Sequence, residues 1–352
     1  MIRPFQLGDL YLIQRLSRQA MRLPCAQSFL QPHAMAPVAL SAILPWSTAG
    51  AVTYVLRQEG HGLVHEGALQ IVRRAGRPEA DILCLAPSIA APSGHPAIWT
   101  KLLSHLAHEA PSLAIDRLYA DVPDQPLLVN TFAGVGFQPY CRQTVWRHFT
   151  PREAAAVVAP VNTVRPRTAV DDWALLRLYT KTVPERVQAA EGATGESGAQ
   201  PPLLENNRAE NSVTYIALDA GIVAGAFQLT EGSSGTWLQL WADTLQPDST
   251  MLNVLVGQGL RMAAEKRWPA PLYVASSDFH GGLEIILNEF GFAPFSDRVR
   301  MVKHVVKWVR ESVSTAMPVV ETTSEVVPTS FAPPHAAQKS VPSSAAIDSG
   351  KA

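Results

Sequence analysis

Gly136-Phe137-Gln138-Pro139-Tyr140 returns later in the chain as Gly291-Phe292-Ala293-Pro294-Phe295, and this repetition governs the reading of everything around it. Upstream of each, Leu118-Tyr119 recurs as Leu272-Tyr273, and Ile2-Arg3-Pro4 recurs as Val164-Arg165-Pro166. At the same offset Asp9 answers to Asp171, Arg15 to Arg177 and Leu16 to Leu178, and downstream Arg147-His148 is echoed by Lys303-His304. One short coincidence carries little weight, but similar elements in one order at nearly constant offsets mark a duplication. A chain of 352 residues is long enough for two cores of ordinary size. The expected division is a first copy over residues 1–150, a linker rich in Ala, Val and Pro over 151–163, a second copy over 164–311 and a tail over 312–352.

Hydrophobic periodicity assigns similar elements to both copies. The first opens with a strand at 2–4 and a helix that puts Leu12, Ile13 and Leu16 on one face, with Asp9 as its N-cap. Alternation over 51–58 and 63–73 predicts a hairpin. An apolar strand follows at 81–85, then a helix beyond Pro96 carrying Leu102, Leu103 and Leu106, a strand at 116–121, a helix at 127–133 and an extended segment at 137–148. The second copy repeats this with strands at 163–167, 213–218, 222–230, 236–241 and 272–275, a last one running to 308, and helices from Asp171, at 252–266 and at 283–290. The order β-α-βββ-α-β-α-β predicts an α/β (α+β) fold in each copy, a mixed and mainly antiparallel sheet flanked by helices.

Composition excludes several classes of function. With 47% hydrophobic and 17% charged residues the chain can bury a core in each half. A net charge of −1 offers no field for nucleic acid or an anionic membrane surface. No window reaches the ~18 apolar residues of a membrane span. Cys25, Cys84 and Cys141 are too scattered for a disulfide framework or a structural zinc site, and the N-terminus has no leader pattern, so a cytoplasmic location is expected. His61 with His65, and His105 with His108, lack a third ligand at metal spacing. Gly257-Gln258-Gly259 reads as close helix packing, and Glu191 to Gly198 as the start of an insertion, since it has no lysine for a phosphate loop. Arg298, Arg300, Lys303, Lys307 and Arg310 alternate with valines as a solvated strand face would. Ser276 to Gly282 could bond a substrate or cap a helix, and the cap is the simpler expectation. The tail, dominated by Ser, Thr, Pro, Ala and Val, is expected to be disordered.

The order of elements, the Ile/Val-Arg-Pro opening and the Gly-Phe-x-Pro element together resemble the GCN5-related N-acetyltransferase superfamily, and the resemblance covers each copy from end to end. It implies acetyl-CoA as cosubstrate, lying where two neighbouring strands splay apart, with its pyrophosphate on backbone N–H groups at a helix N-terminus. The acceptor it implies is a small-molecule or peptide amine that attacks directly. Carried onto this sequence, cosubstrate contacts fall on Leu85, Ala86, Gly94 and Ala97 in the first copy and on Trp241, Ala242, Gln246, Ser249 and Thr250 in the second. The first copy offers one glycine, Gly94, where two small residues belong, and the second has Ser249 and Met251 in their place. The family's tyrosine acid is replaced by Phe132 and Leu287, neither of which transfers a proton. General-base candidates are Asp243, Glu66 and Asp81. The implied activity is acetyl transfer to an amine, by both copies or by one with the other as structural partner. The alternative is a non-catalytic ligand- or protein-binding module. The two halves are expected to associate pseudo-symmetrically.

Overall fold

Asp9 and Asp171, matched in the repeat, perform the same local task. Arg3 donates to both carboxylate oxygens of Asp9 at 2.6 and 2.8 Å, and the Gln6 amide adds a third bond at 3.0 Å. Arg165 grips Asp171 at 2.9 and 2.8 Å, joined by the Thr168 amide at 2.7 Å and its hydroxyl at 2.8 Å. Each carboxylate therefore ties the opening strand to the turn that leads into the first helix. The N-cap expected of Asp9 is not made, because its side chain caps nothing on that helix.

The computed structural model describes residues 1–30, 35–42, 50–60, 63–74, 76–155, 158, 163–192, 211–242 and 250–305. The tail, most of the linker, Asp243, Gln246 and Ser249 lie outside these. The first copy runs β1 (Ile2–Pro4), α1 (Leu10–Ser17), β2 (Met21–Arg22), α2 (Cys25–Leu30), α3 (Met35–Ser41), β3 (Ala51–Gly60), β4 (Leu63–Arg73), β5 (Glu79–Ala86), α4 (Pro96–Glu109), β6 (Arg117–Pro123), α5 (Pro126–Ala133) and β7 (Gln138–His148). The linker opens as α6 (Pro151–Ala155), whose Ala155 is buried in the second core. The second copy follows as β8 (Val164–Pro166), α7 (Asp172–Thr182), α8 (Glu185–Ala190), β9 (Ser212–Asp219), β10 (Ile222–Glu231), β11 (Thr236–Ala242), α9 (Thr250–Glu265), β12 (Leu272–Ser277), α10 (Leu283–Glu289) and β13 (Ala293–His304). Among the described residues no helix is long and apolar enough to cross a membrane.

Both copies share one continuous sheet in the order β1-β3-β4-β5-β6-β13-β7-β12-β11-β10-β9-β8. The last strand of the second copy thus lies between two strands of the first, and β7 pairs in turn with β12. The exchange carries side chains with it. Val299 and Met301 of β13 belong to the core beneath α4 and α5, while Trp146 of β7 belongs to the core beneath α9 and α10. Close helix packing at Gly259 is also present, since a Cβ there would stand 2.7 Å from Leu238 on β11.

Two outcomes test this account. A chain ending at residue 150 leaves the β6 edge without β13 and exposes the faces of Val299 and Met301's neighbours. It is expected to be aggregated or dimeric by size-exclusion chromatography, where a folded monomer would contradict the exchange. Asp171 sits below its usual carboxylate pKa because of the Arg165 bonds, which outweigh burial. Its stabilisation is therefore complete above about pH 4 and lost as the pH falls through the folded value. Asp171→Asn is expected to cost about 2 kcal/mol at pH 7 and to flatten that part of the acid-unfolding curve.

Candidate functional site

Each copy contains one pair of parallel strands that separate along their length. β5 and β6 pair only across Glu79↔Arg117, Ala80↔Leu118 and Asp81↔Tyr119, although β5 continues to Ala86 and β6 to Pro123. β11 and β12 pair across Thr236↔Leu272, Trp237↔Tyr273 and Leu238↔Val274, then run on to Ala242 and Ser277. A diverging pair leaves backbone donors and acceptors that must be satisfied by something else.

In the first copy the chain satisfies them itself. β2 pairs with β5 through Met21↔Leu85 and Arg22↔Cys84, and the Leu23 amide donates to the Leu83 carbonyl at 2.9 Å. Leu85 and Cys84 already use their other edge for β4, so β2 lies on the edge facing β6, inside the divergence. Arg298, only 4% exposed, closes it from the far side by bonding the Leu23 carbonyl at 2.6 Å and the Asp121 carboxylate of β6 at 2.7 Å. The basic stretch of β13 is accordingly not a solvated face here: Arg298 is buried, and Arg300 pairs with the buried Glu191 at 2.7 Å.

The turn between β5 and α4 is equally self-contained. The Ser88 amide donates to Gln19 O at 2.6 Å, Ala91 to Ser88 O at 2.9 Å and Gly94 to Ala91 O at 2.8 Å. At the helix start Ala97 donates to His95 Nδ1 at 3.1 Å and Ile98 to His95 O at 3.0 Å. A Cβ on Gly94 would fall 2.0 Å from the Ser88 carbonyl, so this glycine is required by the loop's own closure. Trp99 is fully buried and donates to the Pro87 carbonyl at 2.7 Å. These five amides face acceptors of the same chain and are not free for a diphosphate. Asp81 is held by Arg74 at 2.9 and 2.7 Å, and Glu66 is paired with Arg15.

The second copy is built differently. Among the described residues no strand pairs with β11 beyond Leu238 on the β12 side. Trp241 and Ala242 are buried at the end of β11, and Thr250 opens α9 with the half-buried Met251 beside it. On β12, two residues past the last pair, Ser276 is 1% exposed and its hydroxyl has no hydrogen-bond partner among the described residues. The stretch that follows does not supply the side-chain cap expected of it, because Gly282 at the N-cap of α10 has no side chain to give one and no other side chain caps it. Instead His280 accepts the Ser277 amide on Nδ1 at 3.2 Å. Burial lowers the pKa of His280 to about 4 against the opposing pull of Asp278, so at pH 7 the ring is neutral with its proton on Nε2.

Cys84 and Cys141 are pushed up to about 12 and 11 by burial, which keeps both as inert thiols at neutral pH. Glu191 is likewise structural. It accepts from the Tyr179 hydroxyl at 2.7 Å, while Tyr119 donates to the Ala190 carbonyl at 2.9 Å, so α8 is fastened over β6 of the first copy.

No family model and no curated protein matches the sequence. Solved structures do. A GCN5-related N-acetyltransferase from Sphaerobacter thermophilus superposes with a TM-score of 0.51 at 13% identity, covering 88% of this chain and 96% of its own. A tandem GNAT protein from the clavulanic acid biosynthesis pathway gives a TM-score of 0.51 at 15% identity, covering 87% and 99%. The chain has the tandem GCN5-related N-acetyltransferase fold. At these identities the likeness is one of fold. Within it, β5–β6 and β11–β12 are the splayed pairs, with Leu85, Ala86, Gly94 and Ala97 around the first and Trp241, Ala242 and Thr250 around the second. Phe132 and Leu287, which the family resemblance sets where a tyrosine acid would stand, are fully buried. Sequence reasoning missed β2 and the pairing of Arg298. A two-residue strand has no periodicity to detect, and its partner lies more than sixty residues away.

A protonation test follows from His280. Its folded pKa is below the unfolded value, so its contribution is constant above about pH 6.5 and is lost between there and about pH 4, at a limiting slope of about 1.4 kcal/mol per pH unit. The difference between urea unfolding curves of the native chain and His280→Gln should shrink over that interval. A pH-independent difference would refute the neutral ring.

Proposed function

We propose that the chain is an acetyl-CoA-dependent N-acyltransferase whose second copy (residues 164–311) holds the cosubstrate, while the first (1–150) is its structural partner. One observation carries this reading: the chain's own β2 fills the first splay, whereas the second has no such strand among the described residues and carries the buried, unpartnered Ser276 hydroxyl. The corresponding residue of the first copy is Val122, which is apolar and fully buried. Register supports a pseudo-symmetric association of the halves, since Ala293↔Arg147 has its counterpart in Gln138↔Val302, and Pro294↔Trp146 in Pro139↔Met301, so that Arg147 answers to Val302, one residue before the Lys303 that the sequence repeat matches to it.

In the proposed reaction the acceptor's amine nitrogen attacks the thioester carbonyl carbon, the C–S bond breaks and coenzyme A leaves as its thiolate. The ammonium proton of the adduct passes to a base, for which Asp243, the residue next in sequence after β11, is the first candidate, with Glu66 and Asp81 already tied to arginines. A thiol pKa near 8.5 allows departure without an acid at Leu287, and orientation of the two reactants supplies much of the rate. Trp241, Ala242, Gln246, Ser249 and Thr250 surround the cosubstrate in this reading, and the acceptor is a small-molecule or peptide amine in the cytoplasm. The second reading, a ligand- or protein-binding module, is favoured by the apolar Phe132 and Leu287 at both acid positions.

Calorimetric titration of the whole chain with acetyl-CoA is expected to give one site per chain. Two sites would remove the structural role of the first copy, and none would remove the acyltransferase. Against a panel of primary amines, Asp243→Asn should retain binding while turnover drops about 100-fold or more. Binding without turnover on any amine would select the module.

A further inference from the structure

Two buried side-chain polar atoms lack a hydrogen-bond partner among the described residues: Ser276 Oγ and Trp146 Nε1. They are neighbours in the sheet. β7 and β12 pair through Trp146↔Val274 and Thr144↔Ser276, so Trp146 and Ser276 are diagonal neighbours, about 7–8 Å apart at the backbone and within reach of a tryptophan side chain. Strand alternation puts Ser276 on the face of Leu272 and Val274, the face on which Trp146 packs with those residues beneath α9 and α10. Both are more than nine-tenths buried, at 1% and 8% exposure.

Their position along the strands is informative. Trp146 is level with Leu238↔Val274, the last pair before β11 and β12 part, and Ser276 lies two residues into the divergence. Ser276 therefore borders the second splay just past its apex, and Trp146 stands level with that apex one strand away, on β7 across β12. The first copy has Met301 and Val122 at the matching places, paired through Met301↔Ala120 and Val299↔Val122, and both are fully buried in its core. A well-packed apolar solution to this site thus exists within the same molecule. In the second copy two donors replace it, at the cost that any buried, unsatisfied polar group carries.

An indole N–H only donates, and a hydroxyl can donate beside it, so the pair suits an oxygen that accepts two bonds. A ligand whose diphosphate rests at the wide end of the splay, by the start of α9, places its opposite end at the apex. Resting on the function proposed above, we infer that Trp146 Nε1 and Ser276 Oγ together bind the acyl carbonyl oxygen of the thioester. The second copy's site is then completed by a residue from the first copy's exchanged strand. Two donors on that oxygen would also stabilise the negative charge it gains as the amine attacks. Ser276 and Trp146 would then act in binding and in the transition state alike.

The test compares acetyl-CoA with S-ethyl-CoA, a thioether without the carbonyl, on the whole chain and on Ser276→Ala and Trp146→Phe. Each variant should bind acetyl-CoA about fivefold or more weakly and S-ethyl-CoA as the native chain does. In addition, Ser276→Ala without ligand should melt about 2 °C or more above the native chain, because it removes an unsatisfied hydroxyl and breaks no bond. Unchanged acetyl-CoA affinity in both variants, equal losses for the two ligands, or a lowered melting temperature for unliganded Ser276→Ala would each overturn the inference while leaving the proposed function in place. A native chain that binds neither ligand would overturn both.

Discussion

Backbone pairing between β7 and β13 is the interaction on which the rest of this molecule depends. Because these strands are the last of their respective copies and lie side by side at the centre of the sheet, neither copy owns a complete core. Val299 and Met301 finish the packing beneath α4 and α5, and Trp146 finishes that beneath α9 and α10. A duplicated chain has been made into one object by exchanging the element whose edge would otherwise be exposed, which also disposes of two aggregation-prone strand edges.

Within that shared frame the two splays have met the same physical demand in opposite ways. A diverging strand pair cannot leave its backbone groups dry and unpaired. The first copy resolves this with β2, Arg298 and a turn whose amides bond within the chain. It has become a packed unit, with Met301 and Val122 at its apex. The second retains polar groups at the same depth, Ser276 and Trp146, and holds them without partners among the described residues. On the function proposed above, stability is given up at the place where a ligand would restore it.

Much of the fold was legible in the residues because its signals are local. Asp9 and Asp171 matched in the repeat because each closes a turn against an arginine six residues away. The 51–58 and 63–73 alternation became β3 and β4 because a hairpin needs only neighbouring sequence. The site was legible only in outline. The Ser276 to Gly282 stretch was singled out, yet nothing in its composition separates a capping serine from a buried one with no partner. Alternation with valines implies a solvated Arg298, whereas Asp121 of β6 and Leu23, just after β2, cover it on the side where a strand edge would face water.

The sequence by itself determined that there are two copies and where most of their strands and longer helices fall, since repeats, periodicity and turn residues act over a few positions; the short β2, α2, α3, α6 and α8 escaped it. Only the tertiary structure decided that the copies trade their last strands and that β2 occupies one splay and not the other. Those outcomes depend on which edge of β5 is left unpaired and on which residues stand opposite each other across more than a hundred positions of chain. That register is set by packing of the whole sheet and leaves no mark in any local window.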